Sequence, residues 1–280
     1  MVRGADSSAQ TATLRRLAPG RSGVPHTTGS GCRIYYETDG RGTVEGTAAV
    51  VFLGDLGFGP WQWAWQASAL AGPFRTVVPT TRGVGRSDAP PGPYAVEELV
   101  ADVDAVLSAA GVDSAHVVGC GLGGHVGIHA ARQLERLDKL ALVGTTAEPA
   151  AYDTDALAAD PADETAVRSS LAAGLTVSFR EANPEVVDRI VDWRTTEDAS
   201  PGVWAAQAAA FTDATEWLYE VTNETLVFHG EADAVVPAAA GERLAEDLPR
   251  GGFHGVPDAG HLVGVEAART VNDRLHAFLG

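Results

Sequence analysis

The part of this chain best suited to chemistry is the run Val117-Val118-Gly119-Cys120-Gly121-Leu122-Gly123-Gly124, which reads as a strand turning into a helix. Gly119, Gly121 and Gly124 satisfy Gly-x-Gly-x-x-Gly, the spacing that cradles a dinucleotide. That fingerprint belongs on the first strand–helix turn, with an acid closing the next strand. Here it lies past residue 115, and the next strand, Leu140–Val143, ends in Gly144-Thr145-Thr146. A nucleotide is therefore not expected, and no cofactor is. Cys120 could act as a thiolate nucleophile, but a buried free cysteine behaves as a small hydrophobe. His125 and His129 stand at the i,i+4 spacing of a zinc-binding helix face, yet no Glu or third ligand accompanies them. Structural or surface roles are expected for both, and no metal.

The elements that must position this run alternate along the chain. Cys32–Glu37 reads as a strand before the Asp39-Gly40 turn, and Ala49–Leu53 as a central strand buried on both faces. A Trp-rich helix over about 61–71 follows, with Trp61, Trp63 and Trp65 at a period of two that cannot all share one helix face. Then come a strand at Arg75–Pro79, a Gly/Pro-rich loop from Thr81 to Pro93, a helix at about 95–110, and strands at Ala115–Val118 and Leu140–Val143. Residues 147–220 break the rhythm and read as helices only, including Trp193, Trp204 and Trp217. A strand at Thr225–His229, a helix near 238–247, a strand at Phe253–Val256 and a helix from about Val265 to Phe278 complete the pattern. Such a rhythm predicts a parallel sheet covered by helices, with residues 147–220 as a helical lid over the strands' carboxyl ends. Residues 1–30 read as a loose N-terminal extension, without the apolar stretch of an export signal after Arg15-Arg16.

Composition narrows the function classes. The chain has 280 residues, is 45% hydrophobic and carries a net charge of -17, which argues against tracking a phosphate backbone. Its two cysteines exclude a disulfide-stapled scaffold, and no apolar run approaches a membrane span. The expectation is a cytoplasmic protein with a small-molecule ligand, no nucleic-acid partner and no membrane association; the oligomeric state is not legible. Of the 20 basic residues only Lys139 is lysine. Scarce lysine beside many carboxylates suggests an acidic surface adapted to concentrated salt, where screening shortens the reach of like-charge repulsion.

From about residue 32 to 280 the chain resembles the α/β-hydrolase superfamily, of the esterase or lactonase kind. Gly119 and Gly123 match the flanking glycines of its Gly-x-Ser-x-Gly nucleophile elbow. Arg82-Gly83-Val84-Gly85-Arg86-Ser87 is similar to the family's Arg-Gly-x-Gly-x-Ser segment, Gly230-Glu231-Ala232-Asp233 to its acid loop, and Ala259-Gly260-His261 to its histidine loop. The resemblance implies an α/β-hydrolase fold: a mostly parallel central sheet flanked by helices, with a helical lid. It also implies that Asp233 orients His261, and that the backbone N–H groups of Leu56 and Leu122 form the oxyanion hole.

Two positions depart from the pattern. Gly121 stands where the family has its nucleophile, and Gly54-Asp55 stands where the family reads His-Gly. Cys120 is one residue early to replace the serine. Gly121 offers no group to form an acyl-enzyme, while relaxing a backbone that costs a residue with a Cβ roughly 1–3 kcal/mol. Asp55 either hydrogen-bonds its own loop or sets a carboxylate beside the oxyanion hole, at the edge of the substrate site. Trp61 is expected to line the pocket mouth. Two functions follow. One is a non-covalent hydrolase or proton-transfer enzyme run by the His261–Asp233 dyad on a small, largely apolar substrate; the other is a catalytically silent ligand-binding pseudo-hydrolase with an incomplete triad.

The acid excess carries its own prediction. The melting temperature rises between low and molar salt, and a salt-independent melt removes the salt-adaptation reading.

Overall fold

The computed structural model describes residues 25–40 and 48–280. Eight strands form one sheet: β1 (His26–Gly29), β2 (Cys32–Asp39), β3 (Ala49–Leu53), β4 (Thr76–Pro79), β5 (Ala115–Cys120), β6 (Leu137–Val143), β7 (Thr225–Gly230) and β8 (Gly251–Val256). Their order across the sheet is β1-β2-β4-β3-β5-β6-β7-β8. β1 and β2 are antiparallel and β2 meets β4 antiparallel; every other pairing is parallel. β3 is wholly buried, as a strand with helices on both faces must be. Its alternate residues serve two cores. Val51 and Leu53 pack with α2 (Val96–Ala109), α3 (Leu122–Gln133) and, further along the same face, α8 (Ala238–Asp247). Val50 and Phe52 pack with α1 (Ala64–Leu70) and α10 (Ala268–Leu279).

Between β6 and β7 lie four helices and no strand: α4 (Glu164–Gly174), α5 (Val177–Ala182), α6 (Pro184–Glu197) and α7 (Pro201–Ala208). Leu171, Ile190 and Trp204 of this insertion join the core that contains β3's Val51 and Leu53. Gln207 ties the insertion to the sheet. It accepts from the Gly57 N–H at 2.8 Å and donates to the Arg82 carbonyl at 2.8 Å. Among the described residues no helix is long and apolar enough to cross a membrane.

Three local readings need correction. Residues 26–29, expected in a loose extension, form β1 on the sheet edge, because a short turn at Ser30-Gly31 lets them pair with β2; residues 1–24 lie outside the described residues. The Trp-rich helix is split into a 3-10 turn, Pro60–Trp63, and α1. The split sends Trp61 and Trp63 into opposite cores. The last helix is likewise two, α9 (Val263–Glu266) and α10, meeting at Ala267.

The Gly/Pro-rich loop after β4 is anchored by charge. Arg82, buried, donates from Nε and Nη2 to both oxygens of Asp102, at 2.7 and 2.9 Å, and from Nη1 to Glu98 at 2.8 Å. Both acids lie on α2, so this fork fixes the loop to a helix. Arg82→Met strands the buried Asp102 carboxylate and is expected to cost about 3–5 kcal/mol, read as a lower midpoint in denaturant.

Candidate functional site

The turn from β5 into α3 is the sharp elbow that the sequence suggested. Gly121 has φ 47° and ψ -113°, a conformation that a residue with a Cβ adopts only under strain. Gly123, two residues on, packs so tightly on β3 that a Cβ there would collide with the Leu53 backbone. Thr145, after β6, donates its hydroxyl to the Gly121 carbonyl at 2.6 Å and pins the turn. The first N–H of α3 therefore points into the site from a fixed position.

That N–H meets Asp55. Leaving β3, the chain fixes Asp55 through its own N–H, which donates to Gln62 at 2.8 Å. Its Oδ1 then accepts from the N–H of Leu56 at 2.7 Å, the N–H of Leu122 at 2.9 Å and the hydroxyl of Tyr152 at 2.8 Å. The other oxygen, Oδ2, lies 2.9 Å from Nε2 of His261. Asp55 thus points into the site as well as bonding its own loop. The two backbone donors are Leu56 and Leu122, the pair anticipated as an oxyanion hole, and a side chain of the protein fills it. A Cβ on Gly121 would fall inside the same carboxylate. Asp55 and Gly121 are one steric unit: the carboxylate stands where an elbow side chain would begin.

On the far side of the imidazole, His261 Nδ1 lies 2.8 Å from Oδ2 of Asp233. Asp233 is held in turn by the N–H groups of Val235 and Val236 at 2.8 and 2.9 Å, and by His229 Nε2 at 3.1 Å. His261, Asp55 and Asp233 have fully buried side chains. Burial opposes charge on the imidazole, but the Asp233 carboxylate and the hydrogen bonds to Asp233 and Asp55 outweigh it, holding His261 well above its ordinary value. It is an imidazolium donating to two carboxylates. Burial also pushes Asp233 up, yet the charge on His261 and the hydrogen bonds from His229 and His261 bring its carboxyl below the usual range. Burial and the adjacent Asp55 carboxylate hold the Tyr152 hydroxyl protonated, far above its ordinary value. Oδ1 of Asp55 faces the Tyr152 hydroxyl and the N-terminus of α3, where helix dipole and backbone N–H groups favour an anion.

The other candidates separate from this centre. Trp61 is displaced from the expected pocket mouth. Its indole N–H donates to Asp198 at 2.7 Å and its ring stacks on Trp193, because the 3-10 turn aims it at α6. Cys120 is buried, and burial followed by the Asp55 charge pushes its thiol up to about 11, opposing a thiolate. Asp55, Cys120 and His261 place one donor atom each within 4.8 Å of one another, among the described residues the one cluster with metal-ligand chemistry. A cation there would displace the His261–Asp55 hydrogen bond and the thiol proton. His125 and His129 pack against Phe211 and Trp217, and His125 Nε2 accepts from the Thr212 N–H at 3.2 Å, so both serve the packing of the insertion.

Sequence reasoning missed Tyr152, His229 and Thr145. Tyr152 sits in the irregular start of the insertion, with no periodicity to mark it. His229, four residues before Asp233 at the end of a strand, carried a usable signal: a polar residue closing an apolar run.

The sequence matches a family model described as alpha/beta hydrolase fold over residues 49–268. It is 30% identical over 270 residues to RutD of Caulobacter segnis, a protein named for carbamate hydrolysis, covering 90% of this chain and 98% of the relative. It is 26% identical over 236 residues to 3-oxoadipate enol-lactonase 2 of Acinetobacter baylyi, covering 82% and 88%. Among solved structures, an enol-lactonase from Burkholderia xenovorans superposes with a TM-score of 0.80 at 26% identity, over 91% of this chain and 99% of the other.

The shared volume of positions 55 and 121 is testable by a double-mutant cycle. Gly121→Ser alone collides with Asp55 and adds about 1–3 kcal/mol of backbone strain; Asp55→Gly relieves the collision. Expected is non-additivity of about 0.5–3 kcal/mol in denaturant midpoints, with the double variant more stable than the sum of the singles. Additive effects would mean that the two positions do not share this space. A second prediction concerns acid. Burial, helped by His129, depresses His125 to about 3, and burial depresses His129 to about 4, from 6.5. The unfolded chain therefore binds more protons in that window, so stability is whole above about pH 6.5 and falls as pH drops toward 4. His129→Gln flattens that slope in pH-dependent melts.

Proposed function

Since the chain belongs to the α/β-hydrolase fold family, we propose that it is a small-molecule hydrolase in which Asp55 works with His261 in place of a side chain on the elbow. One observation carries this reading. A single carboxylate spans the Leu56 and Leu122 N–H pair and the His261 Nε2, in the volume that a Cβ at position 121 would require. Asp233 is then the positioning residue for the imidazole. With a proton at Nε2, His261 acts first as an acid; it becomes a base once the charge on Asp55 is lost. The hydroxyl that reaches Asp55 belongs to Tyr152, whose ring packs on Phe211, and an aromatic neighbour of this kind suits a largely apolar substrate. The insertion carrying α4 to α7 is the lid of this reading. A cleft of about 260 Å³ is lined by Thr176 and Phe179 of the insertion and by Ala259 and Glu266, which flank His261 in sequence. The acid-rich composition and arginine bias support a cytoplasm of high salt as the setting.

The burial of the whole cluster, and the occupation of the N–H pair by the protein's own side chain, support a second reading. In it the site is closed and the protein is a silent binder. The two separate in a turnover assay at molar salt with esters, lactones and epoxides. The hydrolase reading expects turnover by the natural chain that falls at least about 10²-fold in both Asp55→Asn and His261→Ala. Turnover indifferent to Asp55→Asn overturns the role of Asp55. Silence toward every substrate supports the binder.

A further inference from the structure

The two oxygens of Asp55 have different surroundings, and the difference selects a substrate class. Acyl-group hydrolysis needs the Leu56 and Leu122 N–H groups for the oxygen of the substrate's carbonyl, with donors at 2.7–3.1 Å. Asp55 Oδ1 takes both at 2.7 and 2.9 Å, so an acyl substrate has no place for its developing charge. Attack on a saturated carbon places no charge on a carbonyl oxygen and needs no such hole. Among the described residues Oδ2 has one hydrogen-bond partner, Nε2 of His261, and is the oxygen with lone pairs left to react. Once Oδ2 is alkylated, Oδ1 becomes the carbonyl oxygen of an ester already seated on two N–H groups and a tyrosine hydroxyl. The hole is then aimed at the enzyme's own intermediate.

Proton inventory narrows the class further. An imidazolium beside the nucleophile matches a leaving oxygen that takes up a proton, whereas a departing halide would leave that proton in place and His261 unable to act as a base. Resting on the hydrolase reading above, we propose that Asp55 is a covalent nucleophile that opens epoxides, strained cyclic ethers of a small apolar molecule, to give vicinal diols. In the first step the Oδ2–carbon bond forms, the ring carbon–oxygen bond breaks, and the Nε2 proton passes to the ring oxygen. Asp55 becomes a hydroxyalkyl ester and His261 becomes neutral. In the second step His261 takes a proton from water, whose oxygen adds to Cγ of Asp55 and drives the charge onto Oδ1. The Cγ–Oδ2 bond breaks, the departing alkoxide takes the proton from Nε2, and the carboxylic acid of Asp55 returns its proton to the imidazole. Epoxide and water give diol, with the ion pair restored.

The test uses the unmodified protein with styrene oxide and epoxyhexane in heavy-oxygen water. With protein in excess over epoxide, the first diol formed is expected to carry only ordinary oxygen, and the peptide containing Asp55 to gain the heavy isotope. Rapid acid quench of the natural protein during turnover is expected to capture the ester, seen as an intact-mass gain of one epoxide that Asp55→Asn abolishes. Heavy oxygen in the first diol with none in the peptide overturns the covalent step and leaves the hydrolase reading standing. So does Asp55-dependent turnover of an ester or lactone while both epoxides are inert, which overturns the substrate class alone. Silence toward epoxides, esters and lactones together removes the hydrolase reading and this proposal with it.

Discussion

A carboxylate without water must find its partners within the protein, and in this chain that requirement organises the centre of the fold. Moving such a charge into a protein interior costs several kcal/mol even after relaxation, so Asp55 is stable only where every partner is in place. Its partners come from four separate parts of the chain: the loop after β3, the first turn of α3, the start of the insertion at Tyr152, and the loop that carries His261. The central parallel pairing of β3 with β5, with Leu53 opposite Gly119, is what brings the first two together. The same carboxylate is therefore a structural keystone and the group best placed to do chemistry.

The glycine at the elbow acquires a different meaning in this setting. Taken alone, it is an elbow position without a side chain. Taken with Asp55, it is the space that lets a carboxylate from the loop after a neighbouring strand stand beside the histidine. The elbow's geometry persists because its backbone has a second task, presenting the Leu122 N–H at the end of a helix dipole. A fold can thus keep its backbone donors and its histidine in place while the side chain between them comes from the loop after another strand. The histidine changes with it: between two carboxylates it rests protonated, whereas beside a hydroxyl it would rest as a base.

Much of the architecture could be read before any coordinates. The continuous apolar run Ala49–Leu53, the glycine-rich turn after Ala115–Cys120, and the helical segment between two stretches of sheet each follow from period and composition. They fall within a few residues of the observed elements. The misplacements were local. β1 is a short edge strand whose sequence has no apolar alternation, and it is specified by its partner rather than by itself. Trp61 turned away from the site because Pro60 starts a 3-10 turn, whose tighter winding rotates each side chain differently from an α-helix.

The sequence by itself determined the fold class, the order of the elbow, acid and histidine loops, and the fact that residue 121 has no side chain. Those properties are local: they depend on periodicity, turn residues and identity at one position. It left open where the Asp55 carboxylate points, because a loop aspartate can bond its own backbone or reach across the sheet with equal covalent ease. Only tertiary structure decided that. The space at Gly121, the N–H of Leu122, the hydroxyl of Tyr152 and the imidazole of His261 converge from distant parts of the chain, and a buried charge goes where such partners converge.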